Sequence, residues 1–401
     1  MNIVYICDVD ISQPNGPGVN EREFCWTLQT QSALRGDKAF FLIPKPAQEV
    51  DFRLEGVAYY PRMGKASALT GFRMLLTSTY LLGLIVRTLQ RTDVDLFVMR
   101  LNLNCALVPL ILLLLRQRYA IKTLGNIYGF DRENVAVLKR FYFWGFRRLL
   151  GLVLKKATFI DVCTAQFYRN YRDIYSLERL EVIENSVNTS RFYVVDREVC
   201  KAQCGLKRFD KIVGYCGGYP SSRGARQLVE ISPGLMGRYP RCGILIIGED
   251  DQLPFLRERA EQLGTSDHIV FQGTVDYTQV PTYMNCMDVG IGLDEEENVG
   301  FFGNSSQKIR QYLACGVPVV CPKGTNDIIV NAKMGLAVLP GDLDEVFGAI
   351  CYWLDQDGES VVAFRARAHE FAEANLSSTV AYEKRYQRWK EALERMHRRG
   401  R

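Results

Sequence analysis

The sequence predicts an α/β protein built from two doubly wound parallel-sheet domains in tandem, and three observations carry that expectation. The chain has 401 residues, too many for one ordinary core and enough for two domains of roughly 100–200 residues each. Short apolar runs alternate with turn signals and helical stretches from end to end, with no meander of consecutive strands. The alternation restarts from about 181, and a polar, turn-rich stretch at 185–192 marks the boundary. This divides the chain into expected domains at 1–185 and 186–377, with a closing helix at 378–401.

The first strand is expected at 3–7, where Ile3-Val4-Tyr5-Ile6-Cys7 is a continuous apolar run suited to burial on both faces. The loop after it holds Gly16-Pro17-Gly18, and a helix should run from about Asn20 to Leu34. Gly36-Asp37 then turns the chain into a strand at 39–43. Further strands are expected at 96–99, after the turn residues Asp93 and Asp95, at 120–123, and at 158–162 behind a basic helix. From 181 the pattern begins again. A strand at 213–216 leads into Gly217-Gly218 and a helix from Gly224. Strands follow at 243–247 ending on Gly248, at 269–271 ending on Gly273, at 289–293 and at 317–320. The last helix, 378–398, sets Tyr382, Tyr386, Trp389, Leu393 and Met396 at helical spacing. Such a stripe must cover a surface, and it is expected to pack back toward the first domain.

Composition narrows the class. Charged residues make up 24%, an ordinary globular share, so extensive disorder is not expected. A net charge of +5 gives no reason to expect a nucleic-acid partner. None of the twelve cysteines forms a Cys-x-x-Cys pair, and Cys200 and Cys204 lack the second pair or nearby His of a zinc set. No metal is therefore expected, and unpatterned thiols suit a reducing cytoplasm. The N-terminus lacks the basic stretch and apolar core of a secretory signal. No apolar run reaches the roughly 18–20 residues of a membrane span. The nearest, Cys105 to Leu115, is short and contains Pro109.

The segment richest in chemistry is Asn304-Ser305-Ser306-Gln307-Lys308-Ile309-Arg310-Gln311-Tyr312-Leu313-Ala314-Cys315-Gly316-Val317-Pro318. Asn304, Ser305 and Ser306 are good helix N-caps. A helix starting there presents unpaired backbone N–H groups and a positive dipole end, which suits an anion. Lys308 and Gln311 share one face of that helix. Gly316 ends it, and Pro318 blocks its continuation. A second anion candidate is the loop Gly217-Gly218-Tyr219-Pro220-Ser221-Ser222-Arg223-Gly224, in which glycines allow close backbone approach and Arg223 offers a forked donor. It is not a Gly-x-Gly-x-x-Gly fingerprint, and an ordinary turn is the alternative. Gly16-Pro17-Gly18 is a third glycine loop with the same alternative.

Taken together, these stretches resemble the retaining GT-B glycosyltransferases of the family 4 type. Residues 304–320 are similar to that family's donor-binding helix, which carries Ser-Pro-x-Lys-x-x-Glu-Tyr-Leu-Ala-x-Gly-x-Pro-Val-Val in many members. Ile183-Glu184-Asn185-Ser186-Val187-Asn188-Thr189-Ser190-Arg191-Phe192 resembles its interdomain segment, and Ile247-Gly248-Glu249-Asp250 its Ile-Gly-x-Gly turn. Phe271-Gln272-Gly273-Thr274-Val275 and Met287-Asp288-Val289-Gly290-Ile291 match its next two strand ends. The likeness is close over 183–320 and weaker before it.

The resemblance implies two Rossmann-like domains facing across a cleft. It also implies transfer of a sugar from a nucleotide-sugar donor to a glycan or lipid-linked acceptor, with retention, in polysaccharide or glycoconjugate synthesis. Arg223 and Lys308 would neutralise the donor diphosphate as it leaves, with no metal and no cofactor. Gly18, Gly217, Gly248, Ser305 and Ser306 would lie against the donor, and Gln311 would meet its ribose.

Two departures stand out. Family members commonly hold the ribose with a Glu where this chain has Gln311, and the first acid of that pair is replaced by Gly303. The run Asp294-Glu295-Glu296-Glu297 offers a substitute carboxylate or a solvated loop. The only histidines are His268, His369 and His397, so the N-domain His of many relatives is missing, and Asn126 or Arg100 is the candidate stand-in. These gaps keep open a catalytically inactive scaffold and, less favourably, a sugar-nucleotide epimerase.

Residues 138–156 carry Lys139, Arg140, Arg147, Arg148, Lys155 and Lys156 and no acid. Tyr142, Phe146, Leu149, Leu150 and Val153 fall on one helical face, with Phe141, Phe143 and Trp144 adding aromatic bulk. Such a helix suits an anionic membrane surface, and residues 71–91 with Arg73, Arg87 and Arg91 add to it. The expectation is peripheral membrane attachment on the cytoplasmic side. The alternative is a domain helix lying on its sheet.

Overall fold

The computed structural model describes residues 1–62, 70–122, 137–175, 177, 179–218, 224–249, 251–293 and 305–399. Among these residues the strands are β1 (Asn2–Ile6), β2 (Lys38–Pro44), β3 (Val57–Tyr60), β4 (Leu96–Arg100), β5 (Tyr119–Lys122), β6 (Ile160–Val162) and β7 (Leu180–Val182). After them come β8 (Lys211–Cys216), β9 (Cys242–Ile247), β10 (Ile269–Gly273), β11 (Val289–Ile291), β12 (Val319–Pro322) and β13 (Gly335–Val338). They form two sheets, ordered β3-β2-β1-β4-β5-β6-β7 and β10-β9-β8-β11-β12-β13, with parallel pairing throughout. Continuous apolar strands such as Ile3-Val4-Tyr5-Ile6 and Ile244-Leu245-Ile246-Ile247 are buried, because helices cover both faces of a parallel sheet. The doubly wound α/β expectation holds in both halves of the chain.

Each sheet has one place where the winding reverses. In the first, β1 lies between β2 and β4. In the second, β8 lies between β9 and β11. The connections leaving such a pair diverge to opposite sides and open a crevice beyond the strand carboxyl ends, where doubly wound folds bind ligands.

The chain divides into two compact units. The first comprises Met1–Gln13, Pro17–Glu184 and Ala381–Arg401, and the second Pro14–Gly16 and Asn185–Val380. In the first, the helix Ser378–Arg399 lends Tyr382, Trp389 and Leu393 to the core formed by Ile3, Tyr5, Phe24 and Leu28. On the same helix Arg385 donates to both carboxylate oxygens of Asp161 on β6, with Nη2 at 2.8 Å, and both residues are buried. In the second unit, two apolar clusters flank the sheet, one gathered on Leu313 and Met284, the other on Leu228 and Ile350.

Three strands escape the sequence pattern. The strands β3, β7 and β13 are short and lie at sheet edges, where a single neighbour relaxes the demand for apolar residues on both faces. The first helix begins at Gly16 rather than Asn20, so Gly16, Pro17 and Gly18 form its opening turn and not a loop. Proline suits that turn, because first-turn N–H groups have no intrahelical acceptor. One helix stretch, Phe72–Arg91, is long and apolar enough to cross a membrane by length and composition, with mean hydropathy 1.3 and 28% of that stretch buried. This corrects the expectation that no apolar run reaches span length and that Cys105–Leu115 comes nearest to it. Interleaved Thr, Ser and Gly hide the average that an unbroken run would show.

Candidate functional site

The second sheet gathers most of the described candidate residues at its reversal point. Tyr215 lies in β8, and Gly217 follows the strand with φ 133°, a conformation open to glycine and strained for other residues. Its N–H donates to Ile247 O at 2.9 Å, and the Gly248 N–H donates to Gly273 O at 2.8 Å, so the ends of β8, β9 and β10 are laced together. Gly248, with φ 123°, packs so closely that a Cβ there would sit 2.3 Å from Gly217 O.

Across the reversal stands the helix Gln307–Ala314. It starts directly after the serines. Ser306 takes the N-cap backbone conformation but makes no side-chain cap bond. Ser305 instead receives the Asn185 N–H on Oγ at 3.0 Å and the Asn185 carboxamide on its carbonyl at 2.7 Å. Gln307 donates to Ser186 O. The residues before the helix are thereby clamped to the chain at 185–186. That orients a helix start whose first-turn N–H groups and dipole favour an anion.

Lys308 lies in the first turn and is 9% exposed. Its Nζ donates to the Tyr215 hydroxyl at 3.0 Å and lies 4.1 Å from that ring's centroid, a cation–π distance. A Cβ on Gly217 would fall 3.2 Å from the same Nζ, so the ammonium sits against the glycine turn. Tyr215 in turn donates to Gly218 O. Burial pushes the Cys216 thiol up to about 11, against the pull of the nearby Lys308 charge. The Tyr312 hydroxyl accepts the Cys216 N–H at 2.8 Å and pins the helix to the end of β8. Gln311, also buried, donates to the Tyr277 hydroxyl at 3.4 Å, and the Arg191 guanidinium lies 5.1 Å from the Tyr277 ring. Arg310 faces elsewhere. It is fully buried and donates to Asn326 Oδ1 at 2.7 Å, holding the turn after β12.

Gly217 and Gly248 at the strand ends, and Ser305, Ser306, Lys308 and Gln311 at the facing helix, therefore belong to one side of the second sheet. Tyr215, Tyr277 and Tyr312 were not singled out in the sequence, because Tyr215 and Tyr312 read as core and Tyr277, between Asp276 and Thr278, as a turn residue. Arg223, Asn126 and the acidic run 294–297 lie outside the described residues. Gly18 belongs to the first unit, where a Cβ would meet Gln13 O at 2.3 Å, so its small size serves the packing of the preceding loop against its helix.

Arg100 is no free stand-in for a catalytic group. At the end of β4 it donates to Glu21 at 2.6 Å, where Lys122 of β5 also donates at 2.7 Å and the Tyr5 hydroxyl joins them. Burial raises the proton affinity of Glu21, but the two cations and the hydrogen bonds from Lys122 and Tyr5 outweigh it and hold the carboxyl at about 2.

The basic stretch is helical over Val137–Lys156. Leu150, Val153 and Leu154 are buried, and Arg148, Lys155 and Lys156 are exposed. The side chains of Lys139, Arg140, Phe141, Tyr142, Phe143, Trp144, Phe146 and Arg147 lie outside the described residues. On the helix Thr70–Arg91, Phe72, Leu75, Tyr80 and Leu82 are exposed.

Comparison with known proteins agrees with this architecture. Residues 210–356 match the family described as glycosyl transferases group 1. Over 138 residues the chain is 28% identical to the GDP-mannose-dependent alpha-(1-6)-phosphatidylinositol monomannoside mannosyltransferase of Mycolicibacterium smegmatis. That match spans 32% of this chain and about a third (34%) of the relative's own length. Among solved structures, sucrose-phosphate synthase from Thermosynechococcus elongatus superposes with a TM-score of 0.70 at 17% identity, covering 98% of this chain and 99% of that one. Anabaena HepE, solved with UDP and glucose, superposes with a TM-score of 0.65 at 13% identity over 96% and 98% of the two chains. Residues 210–356 thus match the glycosyl transferases group 1 family, within a two-sheet α/β fold shared with GT-B glycosyltransferases.

Proposed function

We propose that this protein transfers a glycosyl group from a nucleoside-diphosphate sugar to a hydroxyl-bearing acceptor. The observation that carries the proposal is the seat of Lys308. Its ammonium lies against the Gly217 turn, in the first turn of a helix and at the reversal point of the second sheet. As the bond between the sugar and the diphosphate lengthens, negative charge grows on the departing oxygen. A fixed ammonium and helix-start N–H groups stabilise that charge without reorganising. Arg223 is proposed as the second cation, Ser305 and Ser306 as the backbone cradle, and Gln311 as the ribose contact. With two cations on the diphosphate, the reaction is proposed to run without a metal or other cofactor, so EDTA should leave turnover unchanged.

Retention of the anomeric configuration, and a glycan or lipid-linked acceptor in polysaccharide or glycoconjugate synthesis, are the finer parts of the proposal. The mycobacterial relative, named for a phosphatidylinositol mannoside acceptor, supports the acceptor class. Cytoplasmic, peripheral attachment to an anionic membrane through the first unit completes it, supported by exposed Phe72, Leu75, Tyr80 and Leu82 and by Arg148, Lys155 and Lys156. Failure to float with anionic vesicles would remove that part alone.

Gln311, a neutral group where relatives carry a carboxylate, favours a second reading, a nucleotide-binding scaffold without turnover. A thermal-shift panel of UDP, GDP, ADP and CMP, followed by their sugars and an assay of donor turnover, separates the two. Transfer or hydrolysis supports the enzyme, and binding without turnover supports the scaffold. If Lys308→Ala bound nucleoside diphosphates as tightly as the unaltered protein, the proposed donor site would be wrong.

A further inference from the structure

The first sheet has its own reversal point, between β1 and β4, and it holds a different chemistry. Asp8 follows β1, while Asn102 and Asn104 follow β4. The Asn102 carboxamide donates to Asp8 Oδ1, and the Asn104 carboxamide donates to Asp8 Oδ2 at 2.8 Å. All three residues are half-buried, with the Asp8 carboxyl largely withdrawn from solvent. The nearest cation does not take up the carboxylate. Arg100 is committed to Glu21, as is Lys122, and reaches Asp8 only through its field. Burial therefore raises the proton affinity of Asp8, offset in part by the two carboxamides and by Arg100. Asn102 Oδ1 is itself buried and accepts no hydrogen bond among the described residues.

The result is a carboxylate with lone pairs to spare beside a carboxamide oxygen that lacks a donor, at the strand ends where this fold class takes ligands. Both groups ask for donors, and the negative charge disfavours an anion. We propose that Asp8, Asn102 and Asn104 form a specificity-determining subsite that reads the hydroxyl groups of a neutral polyol, namely a sugar or cyclitol portion of the acceptor. The proposal rests on the transferase reading and names the chemistry on its acceptor side. Asp8 accepts a hydrogen bond from one hydroxyl, Asn102 Oδ1 one from a second, and the Asn104 carboxamide fixes the plane of the carboxylate.

The test is built on the asparagine side chains. In asparagine-labelled protein, with signals identified through Asn102→Gln and Asn104→Gln, the side-chain amides should titrate with Asp8 at a midpoint above the ordinary aspartate value. The other groups facing Asp8 (Arg100 on β4, Cys7 just after β1, Tyr60 on β3 and Cys105) stay in one charge state across this acidic range. Methyl α-mannopyranoside or methyl α-glucopyranoside, as hydroxyl donors, favour the charged carboxylate and should lower that midpoint. A tenfold preference for the charged form moves it by about one pH unit. Glucose 6-phosphate should bind more weakly than either glycoside.

Asp8→Asn should abolish both the titration and the response while leaving UDP and GDP binding by calorimetry unchanged. If Asp8→Asn fails to fold, the titration of the unaltered protein decides alone. Amides that ignore both glycosides would overturn the proposal, as would a glycoside response that survives Asp8→Asn. Silent amides with intact nucleotide binding refute only this subsite. Responsive amides without nucleotide binding refute only the donor site.

Discussion

Exchanging the two touching glycines for alanine should separate the geometry of the donor turn from its stability. Gly217 has φ 133° and Gly248 φ 123°, so alanine is strained at either position. Such strain costs about 1–3 kcal/mol. The steric consequences differ. At Gly217 the new methyl meets Lys308 Nζ at 3.2 Å and Cε at 3.3 Å, the far end of a flexible side chain that can swing away. At Gly248 it meets Gly217 O at 2.3 Å and Gly217 C at 2.9 Å, backbone atoms held by the Ile247 hydrogen bond.

Gly217→Ala is therefore expected to lower Tm by only about 2–12 °C, from about 2–4 °C per kcal/mol for a domain of this size. By displacing the ammonium it should also forfeit a charge-assisted hydrogen bond, about 1.5–3 kcal/mol, or roughly 10- to 150-fold in UDP or GDP affinity. Gly248→Ala should be the more destabilising of the two, because its clash requires the ends of β8 and β9 to part. Differential scanning fluorimetry and calorimetric titration read the two quantities separately. Wild-type affinity in Gly217→Ala, or a melting temperature for Gly248→Ala at or above that of Gly217→Ala, would refute the reasoning.

Other consequences follow from individual contacts. Arg385→Ala leaves Asp161 buried without its bidentate partner and should cost about 3–5 kcal/mol, read as a large fall in Tm. Glu21 is held at about 2 against an ordinary 4.5, so its stabilisation is fully present above pH 4.5. It should be lost at about 1.4 kcal/mol per unit as pH falls from there toward 2. The stability gap between the unaltered protein and Glu21→Gln, measured by urea unfolding, should narrow over that window, and a constant gap would deny the linkage. Gln311→Glu restores a charged acceptor at the proposed ribose contact and should tighten nucleotide binding by roughly tenfold. Weaker binding by calorimetry would mean that Gln311 does not face the ribose.

The fold was legible because its signals are local. Ile3-Val4-Tyr5-Ile6 and Cys242-Gly243-Ile244-Leu245-Ile246-Ile247 could be little other than buried strands, and glycines punctuate their ends. Lys308 could be singled out for the same reason, since helix start, lysine and terminating glycine lie within a few residues of one another. What stayed hidden depends on partners far away in sequence. Glu21 sits in a helix where a glutamate reads as solvated, and only the return of β4 and β5 brings Arg100 and Lys122 to it, 79 and 101 residues later. Tyr215 reads as core until the helix 93 residues on places an ammonium against its hydroxyl. Asp8 looks like a turn residue until Asn102 and Asn104 arrive from the other side of the reversal.

The two reversal points also differ in charge, the first balanced between two cations and two carboxylates and the second cationic, and that difference should be measurable in salt. At the second, an ammonium and a helix start await an anion, so binding of a nucleoside diphosphate includes a Coulomb term between net charges. At the first, Arg100 and Lys122 are neutralised in part by Glu21, leaving Asp8 to face neutral hydroxyl groups. Added sodium chloride screens the first kind of interaction and has little hold on the second. Nucleotide affinity should therefore fall as salt rises, to a degree moderated by the burial of Lys308, while the glycoside response of the Asn102 and Asn104 amides stays level. Equal salt dependence in the two measurements would mean that one electrostatic environment governs both sites, and the division of labour between the sheets would have to be abandoned.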